Sequence, residues 1–322
     1  FIGYKAGEGG TTSAPFSSGE NNVAVGSEAL KAFTTGGSNV AIGYQTADAL
    51  TTGVENLAIG RSALGSATTQ MRNIAIGYYT AGSLTGANAQ YNVFIGDYSG
   101  TGGSGDLKRS IAIGYQSLSS TAGNDVDAAV AIGHQALKGV TSGNYNIAIG
   151  AYAGDAITTT SGTVSMGHGA LGAITTTGDY SIAIGYGAMG GAEIGDGNIA
   201  IGYQSMQNAN AAGFHRNTAL GYQTMQGVGS NSATDNSVFG YRAGYSITTG
   251  DNNTFLGVSA GAASTDVDRA VAIGTEAMGA DNATSAADGT VAVGWRAGYS
   301  INSGAGNTAI GYEALYTEDT GG

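Results

Sequence analysis

The sequence predicts an all-β fold, a parallel β-solenoid (β-roll) of about 18 coils with units of 17–20 residues. Three observations predict it. One short stretch, Asn39-Val40-Ala41-Ile42-Gly43, returns as Asn56-Leu57-Ala58-Ile59-Gly60, as Asn73-Ile74-Ala75-Ile76-Gly77, and onward to Asn307-Thr308-Ala309-Ile310-Gly311. Inside it, two large apolar residues flank a small one, the period of two that belongs to strands. The closing glycine recurs most often after 17 residues, a length that suits one coil of a stacked array.

With that glycine as position zero, eighteen anchors run from Gly3 to Gly311 as a single repeat array over residues 1–322. Position −4 is Asn in most units, and along a stack such side chains can satisfy one another's amides. Position −3 is Val, Ile or Thr in most units, and position −1 is Ile in most, as at Ile42, Ile59 and Ile76. The β-branched choice agrees with a strand. Position −2 is Ala in 13 of 18 units, with Phe1, Phe94, Phe255, Val238 and Ser165 as the exceptions. Both strand faces therefore read as buried, and the Ala face as one that another backbone or sheet approaches closely. The anchor, as at Gly43, Gly60 and Gly77, has no Cβ, which suits positive φ or close approach.

After the anchor, +1 is Tyr in half the units, +3 is always Ala, Ser or Thr, and +4 is Leu, Met, Gly or Ala. This reads as a short arm with its small residue turned inward. One helical turn at Glu28-Ala29-Leu30 or Glu313-Ala314-Leu315 is the alternative. A polar turn then closes the unit, often Thr-Thr-Gly as at 34–36, 51–53 and 248–250. Coils stacked at about 4.8 Å give a rod of roughly 80 Å. Units longer than 17 residues carry their extra length in Gly/Ser/Thr stretches such as 101–105, where a loop absorbs it.

Composition narrows the class. The chain has 322 residues with 58 Gly, no Cys, 42% hydrophobic and 11% charged residues, and a net charge of −12. Glycine without a third-residue period is not collagen, and the strictly placed apolar residues argue against disorder. The negative charge argues against a nucleic-acid partner. No apolar run approaches the roughly 20 residues that span a bilayer, so no membrane insertion is expected in this segment. The chain opens inside a unit, and is read as a fragment of a longer fibre.

The Asn-x-Ala-Ile-Gly strand resembles the repeat in the heads of trimeric autotransporter adhesins. The longer unit, as in Asn307-Thr308-Ala309-Ile310-Gly311-Tyr312-Glu313-Ala314-Leu315, resembles repeats of phage tail fibres. The resemblance implies three identical chains, each winding a left-handed parallel β-roll, packed side by side about a threefold axis. One strand face would then fill the roll and the other would meet neighbouring chains. If the Ala face lined that axis, the Phe layers would have to widen it. Units in adhesin heads are shorter, so the coil cross-section here is expected to differ.

Few residues suggest chemistry. His134 and His168 occupy +1, two units apart and so about 10 Å along a stack, too far to share an ion; they read as substitutes for Tyr. Asp125, Asp127, Asp266 and Asp268 precede two units in similar contexts. Alternating carboxylates could hold Ca²⁺, although a solvated turn is the favoured reading. Tyr44, Tyr78, Tyr115, Tyr186, Tyr203, Tyr222, Tyr241, Tyr312 and Trp295 share the +1 column. That column is a surface that could bind sugars, or a packing ladder sealing a corner. No catalytic set and no cofactor site stands out. The expected function is a non-enzymatic structural or adhesive segment, a homotrimeric extracellular shaft or head on a virion or a bacterial cell surface, meeting a host glycan or protein receptor. The alternatives are a monomeric ice-binding or carbohydrate-binding solenoid and, less readily, a glycan-degrading tailspike.

Overall fold

The structure, a computed structural model, describes residues 1–10, 18–121, 125–173, 178–191, 194–209, 213–227, 232–280, 283–301 and 304–317. They form two compact units, Phe1–Gly162 and Thr163–Gly322. Both are parallel β-solenoids in which each coil contributes one three-residue strand ending at the residue before an anchor glycine. The first unit stacks Val23–Val25, Val40–Ile42, Leu57–Ile59, Ile74–Ile76, Val93–Ile95, Ile111–Ile113, Val130–Ile132 and Ile147–Ile149. The second stacks nine, from Val164–Met166 through Ile182–Ile184 to Thr308–Ile310. Pairing is in register at every step, as in Val40 with Leu57, Ala41 with Ala58 and Ile42 with Ile59. Gly3 is the one anchor whose preceding residue, Ile2, makes only an isolated bridge, to Val25. Seventeen strands thus stand where eighteen coils are expected. In the longer coils of the first unit, a second short ladder, Leu107–Lys108 with Val126–Asp127, forms beside the insertions.

The arm after the anchor is neither strand nor helix. The anchor glycines adopt φ between 120° and 143°, and non-glycine residues at +2 and +4 turn left-handed, as at Glu28 (φ 60°) and Leu30 (φ 48°). This excludes the helical turn at 28–30 and, with Glu313 (φ 49°) and Leu315 (φ 51°), at 313–315. A left-handed residue is costly without a compensating bond, and every layer supplies one. The +2 N–H donates to the +1 carbonyl of the layer before, as in Gln45 to Ser27 at 2.9 Å. The +4 N–H donates to the +3 carbonyl of the layer after, as in Leu64 to Thr80 at 3.0 Å. Among the described residues the single helical element is the 3₁₀ turn Ser285–Ala287, capped by Thr284.

The strand faces are distributed in the reverse of the usual hydrophobic order. The small −2 residue points inward: Ala41, Ala75 and Ala112 are fully buried. The large −3 and −1 residues point outward, with Ile42 37%, Ile147 36% and Leu256 48% exposed. The close approach expected at the Ala face is therefore an approach to the roll's own interior. Phe94 and Phe255 lie there too, fully buried, as plugs of the roll and not as widenings of an axis.

What fills the interior is a division of volume between −2, +4 and +7. Where −2 is Phe94 or Phe255, +4 is Gly100 or Gly261, and a Cβ on either glycine would fall inside the ring's van der Waals surface. Where −2 is Ala and +4 is Leu, +7 varies: it is Ala67 in the layer of Ala58 and Leu64, but Val140 and Phe33 in the layers of Leu137 and Leu30. Where both −2 and +4 are small, +7 takes over: Ala41 and Ala47 sit with Leu50, and Ala148 and Gly154 with Ile157, all buried. Large side chains at −2 and +4 thus exclude one another, the packing that a narrow roll allows.

Two further ladders tie the layers. Asn39 donates its N–H to Asn22 Oδ1 at 2.8 Å, and its Nδ2 reaches Asn22 Oδ1 at 3.2 Å and the Gly53 carbonyl at 2.9 Å. The same bonds recur at Asn56, Asn73 and Asn92 and, in the second unit, at Asn217 and Asn236. The Thr-Thr-Gly and Thr-Ser-Gly corners form the other: Thr34, Thr51, Thr141 and Thr248 each turn their hydroxyl to the carbonyl of the Thr one layer on, at 3.0–3.2 Å.

Candidate functional site

Because the interior columns carry packing side chains and the amide ladder, chemistry is sought on the outer columns. Strand twofold alternation places −3 and −1 outward, and the anchor glycine turns the chain so that +1 projects beside them. The +1 residues are half exposed: Tyr44 46%, Tyr115 44%, Tyr186 51% and Tyr203 40%. In the second unit Tyr186, Tyr203, Tyr222 and Tyr241 occupy consecutive layers, with ring centroids 4.9–5.4 Å apart and planes within 16°. His168 stacks below Tyr186 at 5.2 Å, and Trp295 on Tyr312 at 4.7 Å. In the first unit the column is interrupted by Arg61 and Asp97. There Tyr78 and Tyr115 meet Tyr98, a +2 residue, edge-on, and His134 stacks on Tyr115 at 5.4 Å. Both histidines thus take the place of Tyr in the column. The continuous stack hides ring faces against one another and leaves edges and hydroxyls to solvent, so it presents hydrogen-bonding groups more than apolar faces.

Three of the four aspartates are engaged in layer-to-layer bonds, and Asp266 in a local one. Asp125 accepts the Asp106 N–H at 2.9 Å, and Asp268 accepts the Asp251 N–H at 2.8 Å. Asp266 accepts from the Thr265 hydroxyl at 3.2 Å. Asp127 pairs with Arg109, whose Nε lies 2.8 Å from Oδ1, and that hydrogen bond holds its carboxyl below the usual range. Among the described residues no three His, Cys, Asp or Glu side chains gather as a metal-binding group. The anchors Gly43, Gly60 and Gly77 serve the stack: a Cβ on Gly43 would lie 2.7 Å from the Gly60 carbonyl oxygen.

One place on the second unit breaks the repeat. Position +5 is Tyr only at Tyr245, Tyr299 and Tyr316, and it is small, Ala262 and Gly279, in the two layers between Tyr245 and Tyr299. The missing side chains leave a recess of about 380 Å³ lined by Arg242, Tyr245, Ala262, Glu276, Gly279 and Tyr299, among others. Arg242 lies over the Tyr245 ring at 4.2 Å. Tyr299 stacks on Tyr316 at 5.0 Å, with planes 1° apart, on the side away from the recess. Arg296 lies 5.1 Å from the Tyr299 ring and pairs with Glu276 at 2.5 Å. Arg242 makes no ion pair among the described residues. The repeat hid this site from sequence reasoning, yet a signal exists: Arg-Ala-Gly-Tyr-Ser-Ile occurs at 242–247 and again at 296–301, on the two sides of the recess.

No known family model matches the chain, and no curated protein matches it.

Proposed function

We propose that this chain is a structural, non-enzymatic segment of an extracellular fibre or adhesin, on a virion or a bacterial cell surface, working as a homotrimer whose rolls pack along the outward −3 and −1 columns. The observation that carries this reading is the inversion of the strand. Alanine lies inside while Val40, Ile42, Ile59, Ile76 and their equivalents form stripes of large apolar residues outside, half buried or exposed. A stripe that repeats at every layer forms a contiguous apolar patch, which in soluble proteins marks an interaction surface. A second copy of the chain carries the same stripe at the same 17-residue period, so it is the partner that matches in register over many layers. The resemblance to adhesin-head and tail-fibre repeats supports the number three. A net charge of −12 concerns the other faces, where repulsion discourages open-ended association.

In this reading the stack supplies stiffness and length, one layer at a time, and receptor contact belongs to columns that vary from layer to layer, the +1 aromatics included. Light scattering or sedimentation of the intact chain tests it. The expected mass is three times 31.7 kDa, falling to one chain in the triple variant Ile59→Asp, Ile76→Asp, Ile95→Asp with its β signal in circular dichroism retained. A wild-type mass near 31.7 kDa would end the trimer.

A further inference from the structure

We infer that the recess between the two Arg-Ala-Gly-Tyr-Ser-Ile segments is a binding site for an acidic saccharide, a short run of hexuronate rings lying along the stack. Four observations on the second unit converge. Tyr245 and Tyr299 are three layers apart, so their ring planes are separated by about 14 Å, and two of those layers carry only Ala262 and Gly279 at the same column. The gap admits about two six-membered rings and no side chain of the protein fills it. Tyr299 lines the gap on the side away from Tyr316, with the Arg296 guanidinium 5.1 Å from its ring centroid, and the part of the ring left open is an apolar contact for the C–H groups of a pyranose.

Charge specifies the acid. Arg242 lies over the Tyr245 ring at 4.2 Å, a cation–π contact that positions its guanidinium without neutralising it. Glu276 is the single carboxylate of the lining and is already paired with Arg296. The recess therefore keeps one uncompensated positive charge in a chain whose net charge is −12, and a planar guanidinium matches a carboxylate in two parallel hydrogen bonds. Ser246 and Ser259, also in the lining, place hydroxyls where ring hydroxyls can pair. Apart from Tyr245, Tyr299 and Tyr316, +5 is never aromatic among the described residues, so the site is a local departure and not a property of the stack. It uses +2 and +5, columns other than those proposed for self-association, and so does not depend on the oligomeric state.

Digalacturonate titrated into the intact chain, followed by calorimetry and by saturation-transfer NMR, tests the assignment, with galactobiose as the neutral probe and acetate as the bare anion. The expected result is saturable digalacturonate binding with galactobiose weaker by ~10-fold or more. Arg242→Ala should lose ~10-fold or more in affinity, and Arg242→Lys should recover part of it. Tyr299→Ala should weaken both sugars alike, whereas Arg72→Ala, on the first unit, should change nothing. Circular dichroism confirms that each variant is folded, and Arg242→Gln replaces Arg242→Ala if the latter is not. The assignment is overturned by absence of digalacturonate binding at millimolar concentration, by equal binding of galactobiose, by displacement with equimolar acetate, or by unchanged affinity in Arg242→Ala.

Discussion

The inner and outer faces of one strand differ more than any two coils do. Inside, Ala75, Phe94 and Ala112 are successive layers of one column, and each large residue is matched by a glycine or a small partner elsewhere in its own layer. Outside, Ile76, Ile95 and Ile113 repeat with no such compensation. The interior is a closed volume in which residues answer to their neighbours, whereas the exterior answers to something beyond the chain. Hydrophobicity alone assigns these faces wrongly. A narrow roll admits a residue larger than Ala or Ser on its inner strand face only where +4 is Gly, as Phe94 does beside Gly100 and Val238 beside Gly244, and the width decides.

The sharpest way to break the inner face is at its largest plug. Phe94→Ala empties a fully buried site and should cost about 3–5 kcal/mol in chemical denaturation. If the volume division is correct, adding Gly100→Leu should restore much of that loss. Leu is tolerated at that conformation, since Leu64 occupies the equivalent position with φ 52° beside Gly100's 56°. A double variant no better than Phe94→Ala would show that the layers do not share volume in this way.

A smaller effect is expected where the inner face ends, at the amide ladder. Asn56→Ala removes the acceptor of the Asn73 N–H at 3.0 Å and the donor to the Gln70 carbonyl at 2.8 Å. Leaving buried polar groups unpaired should cost about 1–3 kcal/mol. The chain itself shows how the ladder can be interrupted: at Ala129 the N–H is received by Ser110 Oγ, 3.2 Å away. An unchanged unfolding midpoint in Asn56→Ala would mean that water enters and replaces the amide.

The smallest effect belongs to charges on the outside. Hydrogen bonds from Arg109 and Arg216 hold the Asp127 and Asp235 carboxyls below their ordinary range, and one from Gln45 does the same for Glu28. A depressed carboxylate contributes stability that is fully present above its unfolded value, near pH 4, and lost as pH falls through the folded value. Burial raises Asp48, which has the opposite sign: its contribution is present under acid and lost as pH rises through its folded value. The melting temperature should therefore decline slightly below about pH 4, more shallowly in Arg109→Ala with Arg216→Ala. A steep acid transition that persists in that variant would place the sensitivity elsewhere.

The repeat made the fold legible. The anchors, the three-residue strands at Val40–Ile42 and its equivalents, and the Asn ladder all follow from columns that a single chain displays. Three things did not follow. The left-handed turns at +2 and +4 fall on Gln, Leu, Met and Glu, residues with no preference for positive φ, and only bonds to the adjoining layers fix them. The orientation of the strand depends on the width of the roll, which no local pattern records. The recess depends on what Ala262 and Gly279 lack, and an absence is visible only once Tyr245 and Tyr299 are placed on the same column.

The layer-to-layer bonding has a kinetic consequence. The amide ladder and the corners connect residues 14–19 positions apart, and in the first unit of 162 residues that is a relative contact order of roughly 0.1, the range of helical bundles and well below that of β-sandwiches. Folding can start at any two adjacent coils and proceed by adding the next, each addition closing a loop of similar length, most often 17 residues between anchors. An all-β chain built this way pays almost nothing extra in search time for additional length, so a fibre can be lengthened by duplicating coils without making its folding slower at each step.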